Sequence, residues 1–133
     1  MTLEQGRNAE RGPSIYIADV SKGWDTVSQT ELFIKALRKM PFYRASLLYS
    51  GFDADGIGKS WHSAEDPGVI YCTDEHNLTL EHADNPFQYA LAYKNPAIGV
   101  YDPDKMEPLP SRNEFAHTMK DPSALIAIVR LKF

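Results

Sequence analysis

The sequence predicts a single α+β domain, and three observations carry this prediction. The chain has 133 residues, which suits one domain rather than two. Strand-like apolar segments stand near the beginning and at the end of the chain, and one amphipathic helical pattern follows the first of them. No repeat, low-complexity tract or interdomain linker interrupts this order. We therefore expect one domain over residues 14–133, with a mixed or antiparallel sheet and two or three short helices.

The first third of the chain predicts a polar arm, a short strand and a helix. Residues 1–13 are polar and end in Gly12-Pro13, so they predict a flexible N-terminal arm. Alternating bulky residues over 15–20 then predict a short strand. Ser28 stands three residues before Glu31, which is the spacing of a capping box and predicts the start of a helix. Its apolar positions recur at helical intervals: Leu32, Phe33, Ala36, Leu37 and Met40.

The middle of the chain predicts a strand, a loop and two helices. Pro41 ends the first helix because it has no backbone N–H to donate. Residues 42–52 predict a strand that carries Arg44 and Ser50 on one face, since side chains repeat every two residues. Four glycines over 51–68 predict a long loop. A strand is expected over 69–72, then a helix capped by Thr73 or Asp74 through about residue 83, and another over 85–93.

The last third of the chain predicts two strands. Residues 97–101 form one, and residues 124–133 form the other. The final segment is apolar almost throughout, which is typical of a strand in the middle of a sheet.

Composition and charge exclude several classes of function. Hydrophobic residues make up 43% of the chain and charged residues 24%, which is typical of a soluble globular protein. No apolar run approaches the roughly 20 residues needed to cross a bilayer, so we expect no membrane partner and a cytoplasmic location. The net charge of −4 disfavours a nucleic-acid partner, because nucleic-acid-binding surfaces are basic. A single cysteine, Cys72, excludes an internal disulfide and fits a reducing compartment.

The chain offers weak evidence for metal binding or thiol chemistry. Cys72, His76 and His82 have a spacing that matches no common zinc site, so no metal is predicted. Cys72 lies in an apolar segment, where burial raises the thiol pKa and disfavours a nucleophilic role.

Three segments in chain order carry a resemblance to a known family. They are residues 42–46, residues 68–75 leading to 80–83, and residues 112–115. In this order the chain resembles the ADP-ribosyltransferase fold, including its diphtheria-toxin-like branch and its RES-type relatives that consume NAD. The similarity covers about residues 41–133. It implies an ADP-ribosyltransferase-like sheet with NAD bound as substrate.

The resemblance leaves two alignments of the catalytic residues open. In the first, Arg44 and Glu114 are the catalytic pair, although Ala45 follows Arg44 where the family has glycine. In the RES-type alignment the chemistry moves to Arg44, Glu81 and Ser111. A glutamate in either alignment would stabilise the oxocarbenium-like ribose that forms when nicotinamide leaves.

The remaining roles implied by the resemblance concern cofactor binding. Arg44 would hold the diphosphate through paired charge-assisted hydrogen bonds. Tyr71 would stack on the nicotinamide ring, and Ser50 or Thr73 would bind ribose or carboxamide. Gly51 supplies the glycine of the first motif, behind Ser50 where the family has a basic residue or histidine.

The resemblance implies an NAD-dependent ADP-ribosyltransferase or NAD-cleaving enzyme that acts on a protein, a small molecule or NAD itself. A short acidic chain of this kind suits a toxin, a phage protein or a mobile-element product. The alternative is a non-catalytic protein-binding module, a degenerate member of the same fold. A metal-dependent hydrolase is the third alternative, with these candidate ligands: Asp53, Asp55, His62, His76 and His82.

Overall fold

The computed structural model of the chain describes residues 3–7, 13–19, 26–53, 69–78, 90, 93–111 and 114–132. The strands in these ranges are β1 Leu3–Arg7, β2 Ser14–Asp19, β3 Leu48–Asp53, β4 Ile70–Tyr71, β5 Thr73–Asp74, β6 Pro96–Tyr101, β7 Met106–Pro108, β8 Ala116–Met119 and β9 Leu125–Lys132. The helices are α1 Thr26–Leu37 and the single-turn α2 Glu75–Leu78, with short 3-10 turns at Pro103–Lys105 and Pro122–Ala124.

The described strands form two sheets. The large sheet has six strands in the order β1-β2-β9-β6-β3-β5, and the small sheet has three in the order β4-β8-β7. Strands β2 and β9 are parallel, and every other described neighbouring pair is antiparallel. This is a mixed-sheet α+β fold, so the predicted fold class is confirmed at that level.

Helix α1 covers one face of the large sheet. Phe33, Ile34 and Leu37 of the helix are buried in a cluster with apolar residues from four strands. The strand residues of this cluster are Ala18, Tyr49, Ile98, Val100, Ala127, Val129 and Leu131. They alternate along their strands because successive strand residues point to opposite faces. Leu32, which the helical pattern assigned to the apolar face, is 41% exposed, so the prediction is wrong for this residue.

The small sheet covers part of the opposite face. Ile70 of β4 and Met106 of β7 are buried there. They share a cluster with these residues: Phe52, Cys72, Ala97, Tyr101, Ala124, Leu125 and Ile128. The described part of the chain thus has three layers: helix α1, the large sheet and the small sheet.

Gly99 in β6 is required by close packing on the small-sheet face. A Cβ atom at this position would lie 2.9 Å from Cε2 and Oη of Tyr101 and 3.1 Å from Cε1 of Phe52. Real Cβ atoms essentially never approach within 3.0 Å of another heavy atom. Glycine therefore lets the two aromatic rings lie directly against the strand backbone.

Three predicted strands are confirmed. β2 and β6 lie within one residue of their predicted limits. β9 covers Leu125–Lys132 and has β2 on one side and β6 on the other, so the final strand lies inside the sheet as expected. In the described residues no helix has both the length and the apolar character needed to span a membrane.

The predicted limits of helix α1 are wrong at both ends. The helix begins at Thr26, so Ser28 is its third residue and not its cap. It ends at Leu37, before Pro41. The amides of Lys39 and Met40 instead bond to carbonyls three residues back, at 3.2 and 2.9 Å. The last turn therefore tightens, which is common at helix ends.

Strand β3 begins later than predicted. Residues 41–47 form turns and irregular backbone, and the strand starts at Leu48. Arg44 is therefore not on a strand, and the expectation that it shares a strand face with Ser50 is wrong. A turn-type bond from the amide of Leu47 to the carbonyl of Arg44, at 3.4 Å, marks this irregular segment. Aromatic and aliphatic composition alone did not distinguish it from a strand.

The N-terminal arm predicted over residues 1–13 contains a strand. β1 pairs antiparallel with β2 and shifts register between Gln5 and Arg7. This polar segment gains its structure from pairing with an edge of the sheet, which a search for apolar alternation does not detect. The prediction of a flexible arm is therefore wrong for Leu3–Arg7.

Candidate functional site

The chain crosses from the small sheet to the large sheet at Cys72. Tyr71 belongs to β4 and pairs with Ala116, whereas Thr73 belongs to β5 and pairs with Tyr49. Between them the Cys72 amide donates a 2.9 Å hydrogen bond to the Phe115 carbonyl. We call this region the sheet junction, and define it by these residues: Ser50, Gly51, Tyr71, Cys72, Thr73, Ser111 and Glu114.

Strand β3 supplies the first polar residue of the junction. Because Tyr49 lies opposite Thr73, Ser50 and Gly51 follow along β3 beside the segment that crosses between the sheets. Ser50 is 4% exposed and Thr73 is also 4% exposed, so two hydroxyl groups are buried here. Tyr71 differs from both because its side chain is 42% exposed. Thr73 shares the helix face with its register partner Tyr49, whereas Ser50, the next residue of β3, lies on the small-sheet face.

Cys72 is a buried residue of the small-sheet core. Its side chain is 2% exposed, and burial raises the pKa of its thiol to about 12. A thiol in this state is protonated near neutral pH and is a poor nucleophile. The expectation that burial raises the Cys72 pKa is confirmed.

The connection between β7 and β8 carries two further predicted site residues. The Leu109 amide donates to the Ala116 carbonyl at 2.8 Å and closes this hairpin. Ser111 and Glu114 lie in its loop, and both are exposed. The Cys72–Phe115 bond places the loop beside the crossing segment. Glu114 therefore lies in a loop, whereas the resemblance implies a glutamate on a late strand.

Arg44 lies at the other end of the β7–β8 hairpin. Its guanidinium forms ion pairs with Asp102 and, at 3.4 Å, with Asp104. These aspartates precede β7, whereas Glu114 precedes β8 after the hairpin loop. The structure therefore brings Ser50, Gly51, Tyr71, Thr73 and Glu114 to one region, places Ser111 in the same loop as Glu114, and leaves Arg44 outside this region. The two carboxylates beside the Arg44 guanidinium would repel a diphosphate, so Arg44 is poorly placed to hold one.

Asp102 is held by the local backbone as well as by Arg44. Its carboxylate accepts a 3.0 Å hydrogen bond from the Asp104 amide at the start of the 3-10 turn. Asp121 repeats this arrangement with the Ser123 amide and hydroxyl, and these bonds lower the Asp121 pKa. Turn geometry therefore holds Asp102, one of the two acidic partners of Arg44.

Sequence reasoning missed a second polar cluster, on the helix side of the large sheet. Glu75, the first residue of α2, accepts a 2.7 Å hydrogen bond from Nε of Arg38 and another from the hydroxyl of Tyr43. The bond to Glu75 raises the pKa of Tyr43, and the carboxylate raises that of Arg38. The cluster ties α2 to the end of α1. No local pattern reveals it, because the partners are 37 and 32 residues apart.

Several predicted residues lie outside the described part of the chain. These include Glu81 of the RES-type alignment, the predicted hydrolase ligands Asp55 and His62, and His82. The loop predicted over 51–68 begins in β3, and its residues 54–68 are not described. Helix α2 starts directly after Asp74 as predicted, while its expected continuation to residue 83 and most of the helix over 85–93 are not described. Among the described residues, no three His, Cys, Asp or Glu side chains are grouped so as to hold a metal ion.

Comparisons of the chain with protein-family models, with curated proteins and with solved structures found no match.

Proposed function

We propose that the sheet junction binds NAD and that the protein is an NAD-cleaving enzyme or NAD-dependent ADP-ribosyltransferase. One observation supports this most directly. The pairing of β3 with β5 and the Cys72–Phe115 bond bring residues from three separate segments together. These segments carry the buried hydroxyl of Ser50, an exposed aromatic ring and a carboxylate, which are groups that a ribosyl-nicotinamide ligand needs.

Tyr71 and Glu114 have distinct roles in this proposal. The exposed ring of Tyr71 stacks on the nicotinamide, since planar heteroaromatic groups bind well to aromatic faces. The Glu114 carboxylate stabilises the positive charge that develops on the ribose as nicotinamide leaves. Ser50 lies on the small-sheet face and donates or accepts a hydrogen bond at the base of the junction, whereas Thr73 lies on the helix face. In this proposal Ser50 and Gly51, and not Arg44, occupy the first-strand position of the resemblance.

The test is calorimetric titration with NAD, followed by chromatographic detection of released nicotinamide. We expect binding with release. Glu114→Gln should lower the rate of release by about 10²–10³-fold and leave NAD affinity nearly unchanged. Tyr71→Ala should weaken NAD binding by about tenfold through the loss of stacking. Glu107→Gln is the matched control, because Glu107 is an exposed carboxylate on β7 outside the junction.

Two results would overturn the proposal. One is the absence of NAD binding at about 1 mM, the affinity of a very weak ligand. The other is an equal loss of nicotinamide release in Glu107→Gln and Glu114→Gln. If Glu81→Gln alone abolishes release, the RES-type alignment replaces the one proposed.

A non-catalytic protein-binding module is the second candidate, and one observation favours it. Arg44, the residue expected to bind diphosphate, forms ion pairs with Asp102 and Asp104 instead. A protein-binding module does not need an arginine that holds diphosphate. The exposed ring of Tyr71 supplies an aromatic contact of the kind enriched in interfaces. This candidate predicts a purified partner whose binding is lost in Tyr71→Ala and retained in both Arg44→Ala and Glu114→Gln.

A further inference from the structure

A groove opens at the end of the large sheet where β9 and β2 finish and β6 begins. Its volume is about 510 Å³, within the range of pockets that hold small ligands. The lining residues are Ile17, Lys94, Asn95, Pro96, Arg130, Leu131 and Lys132. We call it the basic groove.

The charge of the basic groove is opposite to that of the protein. The whole chain carries a net charge of −4, yet the charged residues that line the groove are Lys94, Arg130 and Lys132. All three side chains are exposed. None of the three forms an ion pair or side-chain hydrogen bond with any residue that the structure describes. A concave surface with unpaired cations concentrates anions.

The strand register gives Arg130 two uncharged neighbours within the described sheet. Ile17 of β2 is its neighbour on one side and Ala97 of β6 on the other, and neither carries charge. Of the described acidic residues, Asp19 is the register partner of Lys132 and Asp53 is the register partner of the lining residue Pro96, so neither is a direct register neighbour of Arg130. Glu4 on β1 is the register partner of Ile17, one strand further from Arg130.

The groove is separate from the sheet junction. Arg130 of β9, Ala97 of β6 and Phe52 of β3 lie in one row across the sheet, and Ala97 and Phe52 are buried. With strands about 4.8 Å apart, this row places the backbone of Arg130 two strands away from β3. The groove therefore shares no lining residue with the junction.

We propose that the basic groove binds a phosphorylated small molecule of nucleotide size. The Arg130 guanidinium matches phosphate oxygens with two parallel hydrogen bonds, and the two lysines add point charges. Ile17 and Pro96 form an apolar wall for the uncharged part of the ligand. The site is an addition to the function proposed for the junction and does not depend on it.

The experiment is calorimetric titration of the full chain with ATP, tripolyphosphate and adenosine at low salt. We expect ATP and tripolyphosphate to bind and adenosine to fail, with an affinity for ATP that falls as salt is raised. Arg130→Gln should weaken ATP binding at least about tenfold. Lys94→Gln should also weaken it, and this second variant tests the site if Arg130→Gln does not fold.

Two controls distinguish a site from general attraction. Lys39→Gln removes an exposed cation beyond the end of α1 and should leave ATP affinity unchanged. Tyr71→Ala should leave it unchanged as well, so that a failure of the junction and a failure of the groove give different results. The proposal is overturned if neither ATP nor tripolyphosphate binds at about 1 mM, if adenosine binds as well as ATP, or if Lys39→Gln weakens binding as much as Arg130→Gln.

Discussion

The two faces of the large sheet are covered in different ways. Helix α1 covers one face with Phe33, Ile34 and Leu37, and the Arg38–Glu75–Tyr43 cluster ties the next helix to the same side. The small sheet covers the other face over β3, β6 and the first part of β9. Beyond it, β9 presents Arg130 to the basic groove. The strands follow the same alternation on both faces, so the difference shows that the covering element decides whether a position becomes core or binding surface.

Truncation of Phe33, on the helix face, should cause the largest loss of stability. The side chain is fully buried, and Phe33→Ala leaves a cavity between α1 and the sheet. We expect the free energy of unfolding to fall by about 3–5 kcal/mol. Urea denaturation followed by circular dichroism measures this change. Leu32→Ala is the control on the same helix, since Leu32 is 41% exposed, and an equal loss in the two variants would contradict the proposed packing of α1.

A larger side chain at Gly99, on the small-sheet face, should cause the next largest loss of stability. In Gly99→Ala the new methyl group meets the rings of Tyr101 and Phe52. We expect a loss of about 1–3 kcal/mol, because a packed core relaxes little. The double variant Gly99→Ala with Phe52→Leu should lose less than the sum of the single changes. Additive losses in the same denaturation assay would show that the two positions do not touch.

Alkaline pH should destabilise both faces, through one tyrosine on each. Burial raises the pKa of Tyr49 on the helix face and of Tyr101 on the small-sheet face well above the ordinary tyrosine value. Above about pH 10 the unfolded chain loses these protons and the folded chain keeps them, so the free energy of unfolding falls as pH rises. Each group contributes a slope of about 1.4 kcal/mol per pH unit.

Phenylalanine variants separate the two contributions to the alkaline slope. Tyr49→Phe and Tyr101→Phe should each reduce the slope of stability against pH between about pH 10 and 11 by one group. The hydroxyl of Tyr49 is buried without a hydrogen bond in the described structure, so Tyr49→Phe should not destabilise the protein near neutral pH. An unchanged alkaline slope in both variants would contradict the burial of these hydroxyls.

Replacement of Arg44 should cause the smallest loss of stability. The side chain is 43% exposed, and Asp102 and Asp104 are 19% and 79% exposed, so solvent screens both pairs and Arg44→Ala should cost no more than about 1 kcal/mol of stability. NAD affinity should not change, because Arg44 lies away from the sheet junction. A tenfold loss of NAD binding by calorimetry would place Arg44 in the cofactor site after all.

The fold could be predicted where the signal is local. Strands β2, β6 and β9 follow from runs of β-branched and aromatic residues, and the position of β9 inside the sheet follows from its continuous apolar character. The N-terminal strand β1 and the small-sheet strands β7 and β8 were not predicted. Their sequences are short or polar, and they are stabilised by hydrogen bonds to strands that are distant in the chain or across a loop.

The sequence predicted which residues belong to the candidate site, but it did not predict where they lie relative to one another. Tyr71, Thr73 and Glu114 were singled out from their motifs, and their proximity depends on Cys72 joining two sheets. Arg44 was singled out in the same way, but the irregular segment before β3 places it beside Asp102 instead. Charge pairing over 58 residues of chain has no signal in a local motif.

The sequence by itself determined the α+β class, the central strands and the burial of Cys72, because each depends on the polarity and shape of neighbouring residues. Only the tertiary structure decided that Arg44 is paired, that Glu75 joins two helices, and that Arg130 faces an open groove. These outcomes depend on which distant segments meet. The free energy of a charged group is set by the partners and solvent around it, and these are fixed only when the sheets and helices have packed.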